Sequence, residues 1–468
     1  MKKLYILTVV VSFLILVCCR NNNIPIPEKL IIAQQDEALK ILSLENESVI
    51  PSDYYQPLIE WSGKNDTVTL GLFSANKDLI KKVSGHKWRP EKEEFLPFLQ
   101  EKEVYMVLYY NDAGQIFRSK ILKIIISPYN LDESIVYRLV DPYFDPEKTS
   151  FIEKLTLKDL PEKESIEINN ACIGCHSYSE NITSFNIKRR GDRRFVYSKN
   201  MGQIKNYEQK FMGHFSFTSR VVDQRFMLVV ANTFGTIEIR HNIKEPFDLM
   251  YKAGDIFCFD FEKEKMFPLP GASELDFVED MPSFSPDGKK IIFSKYQIAN
   301  DSIPDMDLNT IDFNYGAGGQ AEIFKKSTPG EYLYFARFSP DSKWVSYCKG
   351  QGSKGIFAKS TSDIYLMNLR TGKEKKLKLN QPESMDSWHQ WSADAHWLIF
   401  SSKRYHNEIT SLYLTYIDES GNDSPPVKIY GNDSLKVNIP QFVNKDYIMP
   451  DNNELLNYIN TIYTDAKN

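Results

Sequence analysis

Residues 281–294 read MPSFSPDGKKIIFS, and this stretch decides the fold of much of the chain. At its centre, Pro286-Asp287-Gly288 has the chemistry of a tight turn. Proline presets φ, the aspartate side chain bonds back to the backbone, and glycine accepts a positive φ. Because apolar runs stand on both sides of the turn, the stretch predicts two antiparallel strands joined by it.

The same pattern recurs along the C-terminal two thirds of the chain. It returns at residues 337–347 (RFSPDSKWVSY) and 389–400 (HQWSADAHWLIF), with a degenerate copy at 217–230. The repeated aromatic residues Phe217, Phe284, Phe338 and Trp391 are 67, 54 and 53 residues apart. Strand-like outer segments follow at residues 255–260, 363–369 and 411–414. Four strands with their loops account for such spacings, which predicts a repeat array.

These repeats resemble the TolB-type β-propeller family, whose blades read Phe or Trp, then Ser-Pro-Asp-Gly, two strands, and Asp-Ile-Tyr. The resemblance implies a mainly β chain with a five- to six-bladed TolB-like β-propeller. Residues 437–443 (VNIPQFV) would supply a closing strand or part of a sixth blade. An unrelated sandwich with similar turns is the alternative.

Five segments follow from these patterns. We expect a lipoprotein signal peptide at residues 1–19 and a tether with a leading segment at 20–60. A small N-terminal β-sandwich-like domain at 61–165 precedes the propeller at 166–445, and a C-terminal tail covers 446–468. Within the N-terminal domain, Asn111-Asp112-Ala113-Gly114 predicts the turn of a hairpin.

Charge and cysteine content limit the classes of function. The 57 basic and 62 acidic side chains give a net charge of −5, and no basic run suggests nucleic acid as a partner. The 6 cysteines are too few for a disulfide scaffold in 468 residues. Cys258 and Cys348 lie in strand-like runs, where we expect buried free thiols.

The N-terminus has the pattern of an export signal. Met1-Lys2-Lys3 is positively charged, and an apolar run of signal-peptide length follows. The run ends at Cys18-Cys19 and resembles a bacterial lipobox, which implies lipidation at Cys19, or alternatively at Cys18. An uncleaved anchor or a plain signal peptide is the other interpretation. Each places the chain outside the cytoplasm, and a lipobox implies a periplasmic or cell-surface protein anchored to the outer membrane.

Residues 172–176 (CIGCH) match the attachment sequence of a c-type haem. Cys172 and Cys175 can each form a thioether bond to the porphyrin, and His176 would be the proximal iron ligand. A redox disulfide or a zinc site would use the same residues, but no strand-helix redox unit and no second Cys-x-x-Cys pair accompany them. We therefore expect one covalent haem c.

The repeat register suggests where the sixth iron ligand lies. His176 stands two residues before Tyr178, as His389 stands two residues before Trp391. Since side chains alternate along a strand, both histidines should occupy equivalent channel-facing positions. We expect His389 as the distal ligand, with Met201 as the alternative; Met212 and His214 are further candidates.

The arrangement is similar to exported, haem-binding TolB-like lipoproteins of Gram-negative bacteria. The matching stretches are residues 136–142, 172–179, 387–392 with 400–404, and 438–443. The resemblance covers about residues 60–445. It implies fold, export and haem more than an activity. Residues 183–191 lack the Met- and His-containing segment that such proteins often carry after the haem motif.

We therefore predict a lipoprotein whose propeller carries one haem c for electron transfer or redox sensing with an unknown partner. A non-catalytic binding or scaffold propeller with structural cysteines is the second hypothesis. An enzyme using an open haem or a channel metal ranks last, because the sequence has no Ser-His-Asp arrangement, phosphate loop or His-Glu-x-x-His motif.

Overall fold

The computed structural model describes most of the chain after residue 24. The described residues are 25–142, 148–160, 162–169, 172–178, 182–189, 192–199, 204–207, 214–219, 221–232, 236–239, 248–251, 254–297, 305–351, 360–406 and 408–465. Cys18, Cys19, Met201 and Met212 lie outside them. The described chain forms two units: one contains Ile59–Ile126 and the segment ending at Glu47, and the other contains Ser48–Leu58 and the chain from Ser127 onwards.

The N-terminal unit is built from two antiparallel groups of strands. In the larger sheet, Thr67–Phe73 pairs with Asp78–Ser84 and Glu103–Asp112, which also pairs with Gln115–Arg118 and Leu122–Ile126. Gln34–Gln35 joins it in parallel, and Lys40–Ile41, Ile59–Ser62 and Lys87–Trp88 form the smaller group. Its short helices are Glu28–Ile31, Lys92–Phe95 and a 3-10 turn at Leu96–Gln100. The predicted hairpin is confirmed, since Asp112 pairs with Gln115.

Six four-stranded antiparallel sheets make up the described part of the second unit, beside a few short elements. Their inner strands are β1 (Cys172–Tyr178), β2 (His214–Thr218), β3 (Val278–Phe284), β4 (Glu331–Phe338), β5 (Asp386–Trp391) and β6 (Lys436–Asn444). Outward from β1 to β3 run Ile182–Arg189, Asp192–Lys199 and Ile204–Tyr207; Phe226–Asn232, Asp255–Asp260 and Lys265–Pro268; and Lys290–Tyr296, Asp307–Asp312 and Glu322–Lys325. Outward from β4 to β6 run Trp344–Gln351, Asp363–Asn368 and Glu374–Lys376; Trp397–Ser402, Ser411–Tyr416 and Val427–Tyr430; and Glu133–Val140, Ser150–Thr156 and Lys163–Ile168. The remaining elements are the strand Val49–Ile50, the hairpin Thr236–Ile239 with Asp248–Tyr251, and 3-10 turns at Leu157–Asp159 and Asn314–Gly316.

The inner strands contact one another in sequence order, and the ring closes where β6 contacts both β5 and β1. Strand β6 is the last strand of the chain, yet its sheet partner is Glu133–Val140 from near the start of this unit. The closed ring of sheets is the architecture of a β-propeller. The mainly β fold class is therefore confirmed, and the strand predicted near residues 437–443 is present as Lys436–Asn444.

The repeated turns explain why β3, β4 and β5 end at their aromatic residues, Phe284, Phe338 and Trp391. Ser339 Oγ donates to Asp341 Oδ1 at 2.6 Å and accepts the N–H of Trp344 at 2.9 Å, which starts the next strand. The Ser285 and Ser392 hydroxyls make the same two bonds in their own sheets. In these three sheets, one serine hydroxyl therefore joins the end of the inner strand to the start of the next strand.

Three predicted boundaries differ from the structure. The predicted N-terminal domain ran to residue 165, but its strands from Glu133 onwards belong to the sheet of β6. A distant strand completes that sheet, and a local pattern does not reveal such pairing. Residues 25–60 are not a plain tether, because Leu30, Leu39 and Tyr54 are buried.

The predicted C-terminal tail contains the helix Asn452–Asp465. Its Leu455 and Ile459 are buried in a cluster with Ile166 and Ile168 from the β6 sheet. Among the described residues, no helix has the length and apolarity needed to cross a membrane.

The turn network predicts a measurable stability effect. Ser339→Ala removes the hydroxyl that both donates and accepts, so we expect the free energy of unfolding to fall by about 1–3 kcal/mol. Urea unfolding followed by tryptophan fluorescence measures this change.

Ser342→Gly in the same turn is the matched control. Ser342 has a φ of 58°, which glycine adopts without steric cost, so the expected effect lies between none and a gain of about 1 kcal/mol. Equal losses for both variants would contradict the role given to the Ser339 hydroxyl.

Candidate functional site

The Cys-x-x-Cys-His motif lies on the inner strand β1. Cys172 pairs with Lys188 and His176 with Phe185, and a β-bulge interrupts the ladder between Ile173 and His176. The backbones of Cys172 and Cys175 are described, whereas their side chains lie outside the described part of the chain. Thioether attachment at these two cysteines therefore stays a prediction.

His176 is fully buried, with 0% of its surface exposed. Its Nε2 lies 2.9 Å from the backbone oxygen of Ile439 on β6, and no described group hydrogen-bonds to Nδ1. Burial, assisted by the positive charge of Arg138, lowers the pKa of His176 to about 3, although the Ile439 carbonyl opposes the shift. The ring is therefore neutral at pH 7, and its Nδ1 has no partner among the described residues.

His389 lies in the bulge of β5, between Ser387 and Gln390. It is 3% exposed, and its Nδ1 lies 3.5 Å from Cys348 Sγ. Within the described chain its Nε2 has no hydrogen-bond partner. Burial and then the charge of Arg337 lower the pKa of His389 to about 3, opposed by the backbone of Ser346. This imidazole too is neutral.

The inner strands share one backbone feature that relates the two histidines. Met281, Phe335, Trp388 and Ile439 have φ values of 54°, 50°, 54° and 52°, although none is glycine. Each stands three residues before the aromatic that ends its repeat. The ladders show that the predicted equivalence of the two histidines is wrong: His389 lies inside its bulge, whereas His176 is the first paired residue after its bulge, the position that Gln390 holds on β5.

Strand β6 lies between β1 and β5 in the ring and bonds to both. Gln441 Nε2 donates to the backbone oxygen of His176 at 2.7 Å, and the N–H of Phe442 donates to Gln390 Oε1 at 2.5 Å. The two imidazoles are thus held by different partners, Ile439 and Cys348. No described contact joins them as a pair.

A small pocket lies beside His389, between β4, β5 and β6, and encloses about 40 Å³. A cavity needs roughly 10–15 Å³ of such volume to hold one water molecule. The pocket therefore takes a group of about three non-hydrogen atoms by that measure, whereas pockets for drug-sized ligands enclose about 300–1,000 Å³.

The motif implies a haem, and the two histidines fit that group differently. A metal-ligating histidine is neutral and commonly fixes one ring nitrogen on a backbone carbonyl, leaving the other as the ligand. His176 meets these conditions, with Ile439 as the fixing group. The pocket beside His389 is too small for a porphyrin, so its surroundings do not fit the distal role in this arrangement. Its role as a ligand stays a prediction.

The side chains of the other predicted iron ligands lie outside the described part of the chain. Met201 and Met212 lie outside the described residues, and His214 begins β2 with only its backbone described. Cys258 and Cys348 are buried free thiols, as predicted. Burial raises the pKa of each thiol to about 12, so both are protonated. The described residues contain no group of three or more side chains placed to hold a metal ion.

Sequence reasoning missed the polar residues around His389. Arg337, Gln390 and Gln441 line the pocket with it. One signal was available, because Gln390 and Gln441 each stand one residue before a repeated aromatic. Their convergence requires β5 and β6 to be neighbours, which local patterns do not reveal.

Two adjacent carboxyl groups on β3 were also missed. Asp280 is fully buried; its Oδ1 accepts the N–H of Met281 at 2.8 Å, while Oδ2 has no described partner. Burial raises the pKa of Asp280 to about 8 against the opposing Met281 bond. Burial also raises the pKa of Glu279 to about 7, opposed mainly by Lys295, whose Nζ lies 3.4 Å away. Asp280 is thus mostly protonated near neutral pH.

Comparisons with known proteins show similarity in structure only. No family model and no curated protein matches the sequence. A TolB protein from Agrobacterium tumefaciens is similar, with a TM-score of 0.39 and 9% identity over 66% of this chain and 98% of that one. A DUF4784 family protein from Bacteroides caccae has a TM-score of 0.37 and 9% identity over 86% and 99% of the two chains. An oligogalacturonate lyase from Vibrio parahaemolyticus has a TM-score of 0.37 and 10% identity over 69% and 88%.

The buried Asp280 predicts a dependence of stability on pH. Its native pKa of about 8 lies above the unfolded value near 4, so the native state holds the proton more tightly. The stabilisation is complete below about pH 4 and is lost as the pH rises towards about 8. The free energy of unfolding of the wild-type chain should fall between pH 5 and pH 8. Asp280→Asn should reduce this fall by more than about 2 kcal/mol. Urea unfolding at the two pH values measures the change.

Asp276→Asn, an exposed carboxylate on the preceding loop, is the control and should leave the pH dependence unchanged. In Asp280→Asn the free energy of unfolding should still fall with rising pH, but less steeply. The remaining dependence comes from Glu279, whose raised pKa acts in the same direction. An unaltered slope in Asp280→Asn would refute the assignment.

Proposed function

We propose that the six sheets are the blades of a six-bladed TolB-like propeller. Three observations support this count: each sheet has four strands, consecutive inner strands contact one another, and β6 closes the ring against β1. The sixth blade would combine the last strand of the chain with Glu133–Val140, Ser150–Thr156 and Lys163–Ile168. Such closure ties the two ends of a propeller together and leaves no inner edge unpaired.

We further propose that this propeller binds one covalent haem c and acts in electron transfer or redox sensing. Cys172 and Cys175 would carry the two thioether bonds, and His176 would be the proximal ligand. The observation that carries the proposal is the state of His176: the ring is buried and neutral, one nitrogen is fixed on Ile439, and the other has no partner within the described chain. When bound, a haem supplies a one-electron redox centre.

The chain's own residues would prepare His176 for this role. The Ile439 carbonyl holds the ring in one orientation, and Gln441 bonds to the backbone of the same residue. Burial keeps the imidazole from taking up a proton that would block its lone pair. The proposal leaves His389 out of the iron site, because the pocket beside it does not admit a porphyrin.

Export belongs to the same proposal. Residues 1–19 would direct the chain across the inner membrane, and Cys19, or alternatively Cys18, would carry the lipid. The protein would then lie in the periplasm or at the cell surface, anchored to the outer membrane. Haem attachment to a Cys-x-x-Cys-His motif takes place after export in bacteria, which agrees with the two signals occurring in one chain.

A non-catalytic binding or scaffold propeller is the second candidate. It is favoured by the confinement of both histidines, one against a backbone carbonyl and the other against a buried thiol. In that case the motif cysteines would be structural, and His176 would stabilise the contact between β1 and β6.

The pyridine haemochrome spectrum of the full chain, expressed with a periplasmic haem-attachment system, tests the haem proposal. We expect about one covalent haem per chain, because the motif provides a single pair of thiols and a single proximal histidine. Cys172→Ser combined with Cys175→Ser should abolish covalent haem. Cys258→Ser removes a thiol from a different sheet and should retain it.

Two histidine variants separate the candidates further. His176→Ala should alter the spectrum of the attached haem, whereas His389→Ala should leave it unchanged. A wild-type chain without covalent haem would reject the proposal and favour the scaffold propeller.

A further inference from the structure

The larger sheet of the N-terminal unit has an open edge. Its edge strand, Asp78–Ser84, pairs with Thr67–Phe73 on one side, and no described strand pairs with its other side. Side chains along the edge strand alternate between exposed and at least partly buried, and the exposed set includes Asp78, Ile80 and Lys82. An open edge carries unpaired backbone N–H and C=O groups that a further strand can bind.

The ladder fixes which backbone groups of the edge strand point outward. Just beyond the strand, the N–H of Gly85 donates to the backbone oxygen of Asp66 at 3.1 Å. In an antiparallel pair, residues that bond to the neighbouring strand alternate with residues whose N–H and C=O face away from it. The backbone groups of Asp78, Ile80 and Lys82 therefore face the open side, where no described residue hydrogen-bonds to them.

The two charged side chains of the exposed face lack partners among the described residues. Asp78 and Lys82 are both exposed, and neither forms an ion pair there. Four positions separate them, about 13 Å along a strand, so they do not bind each other. The other cation of the edge strand is already compensated, because Lys81 Nζ lies 2.5 Å from Glu94 and over the ring of Trp88. The exposed face therefore keeps one uncompensated charge on each side of its centre.

Ile80 lies midway between these two charges and is 54% exposed. Side chains on a sheet are stabilised by cross-strand neighbours, but the residue opposite Ile80 is Gly71, which offers no side chain. Along the edge strand the exposed face is acidic, then apolar, then basic, at equal spacing. A face of that order is complementary to a second copy of itself that runs in the opposite direction.

We propose that the edge strand binds the edge strand of a second copy of this chain, antiparallel and with Ile80 opposite Ile80. In this register Asp78 of each copy lies opposite Lys82 of the other, and the outward backbone groups of all three residues pair. About six backbone hydrogen bonds then join the two sheets. Pairing also removes an open edge, which otherwise invites aggregation. The proposal uses no residue of the haem motif and does not depend on it.

Charge selects this register over the neighbouring one. Pairing centred on Lys81 also brings outward groups together, but it places Lys82 opposite Ile80. Asp78 then lies opposite Ser84, so neither charge gains an opposite charge. A lysine on an edge usually discourages the addition of a strand. In the proposed register, the aspartate of the second copy compensates that lysine.

Sedimentation velocity of the full chain, purified after export and with detergent micelles in excess over chains, tests for the dimer. We expect a dissociation constant of the order of 10–100 μM, since one pair of short strands makes a small interface. Higher salt should weaken the dimer, because its two ion pairs lie at the surface. A chain that stays monomeric above this concentration range would overturn the proposal and leave the edge to a strand of a different protein.

Charge reversal identifies the surface that forms the dimer. Asp78→Lys or Lys82→Asp alone creates two like-charge pairs and should weaken the dimer at least about tenfold. Combining the two substitutions restores both ion pairs with their signs exchanged, so the dissociation constant should return to within about threefold of the wild-type value. Lys120→Asp, an exposed lysine elsewhere in the N-terminal unit, should leave it unchanged. A combined variant that dimerises no better than the single variants would refute the proposed pairing.

Cysteine substitutions test the register, with the oxidised wild-type chain as background. Ile80→Cys should cross-link to a second copy under copper–phenanthroline oxidation, because hydrogen-bonded residues face each other at a Cα distance of about 5.5 Å, within reach of a disulfide. Lys82→Cys should not, since the two copies of that position lie about 13 Å apart along the strands. Mixing Asp78→Cys chains with Lys82→Cys chains should produce the cross-link. Equal cross-linking of Ile80→Cys and Lys82→Cys would assign it to random collision and overturn the proposal.

Discussion

The backbone ladder between β6 and Glu133–Val140 is the interaction on which the second unit depends. It joins residues at the two ends of the ring, and Arg138 Nε donates to Asn438 Oδ1 at 3.0 Å across 300 positions of sequence. An unpaired strand at either end would expose backbone N–H and C=O groups. Pairing the two ends satisfies those groups and lets every inner strand contact two others.

The closing strand also decides the surroundings of both candidate sites. Through Ile439 it holds His176, and through Phe442 it orients Gln390 beside His389. His176, which follows the bulge of β1, and His389, which lies inside the bulge of β5, therefore have different chemistry. Among the described groups, His176 Nδ1 and His389 Nε2 have no hydrogen-bond partner, and only His389 lies beside the small pocket between β4, β5 and β6. The offset of one residue relative to the bulge removes the equivalence that the sequence spacing suggests.

The inner strands bury carboxyl groups, and burial removes water from each of them. Partner groups offset this desolvation for one carboxyl group more than for another. Asp386 has Arg404 at 3.0 Å and accepts the N–H of Gln381 at 2.7 Å. Asp280 accepts only the neighbouring Met281 N–H among the described groups, and its pKa rises to about 8 as a result. An isolated buried carboxyl group avoids the cost of desolvation by keeping its proton.

The sequence by itself determined the features that arise from local chemistry. The Ser-x-Asp turns, the aromatics that end β3, β4 and β5, and the buried thiols of Cys258 and Cys348 all depend on residue type and short spacing. Only the tertiary structure decided that Glu133 begins the sheet of β6, that β6 separates the two histidines, and that Gln390 and Gln441 meet at one pocket. Those facts depend on pairing between strands far apart in the chain, because ring closure, and not local preference, selects which strands become neighbours.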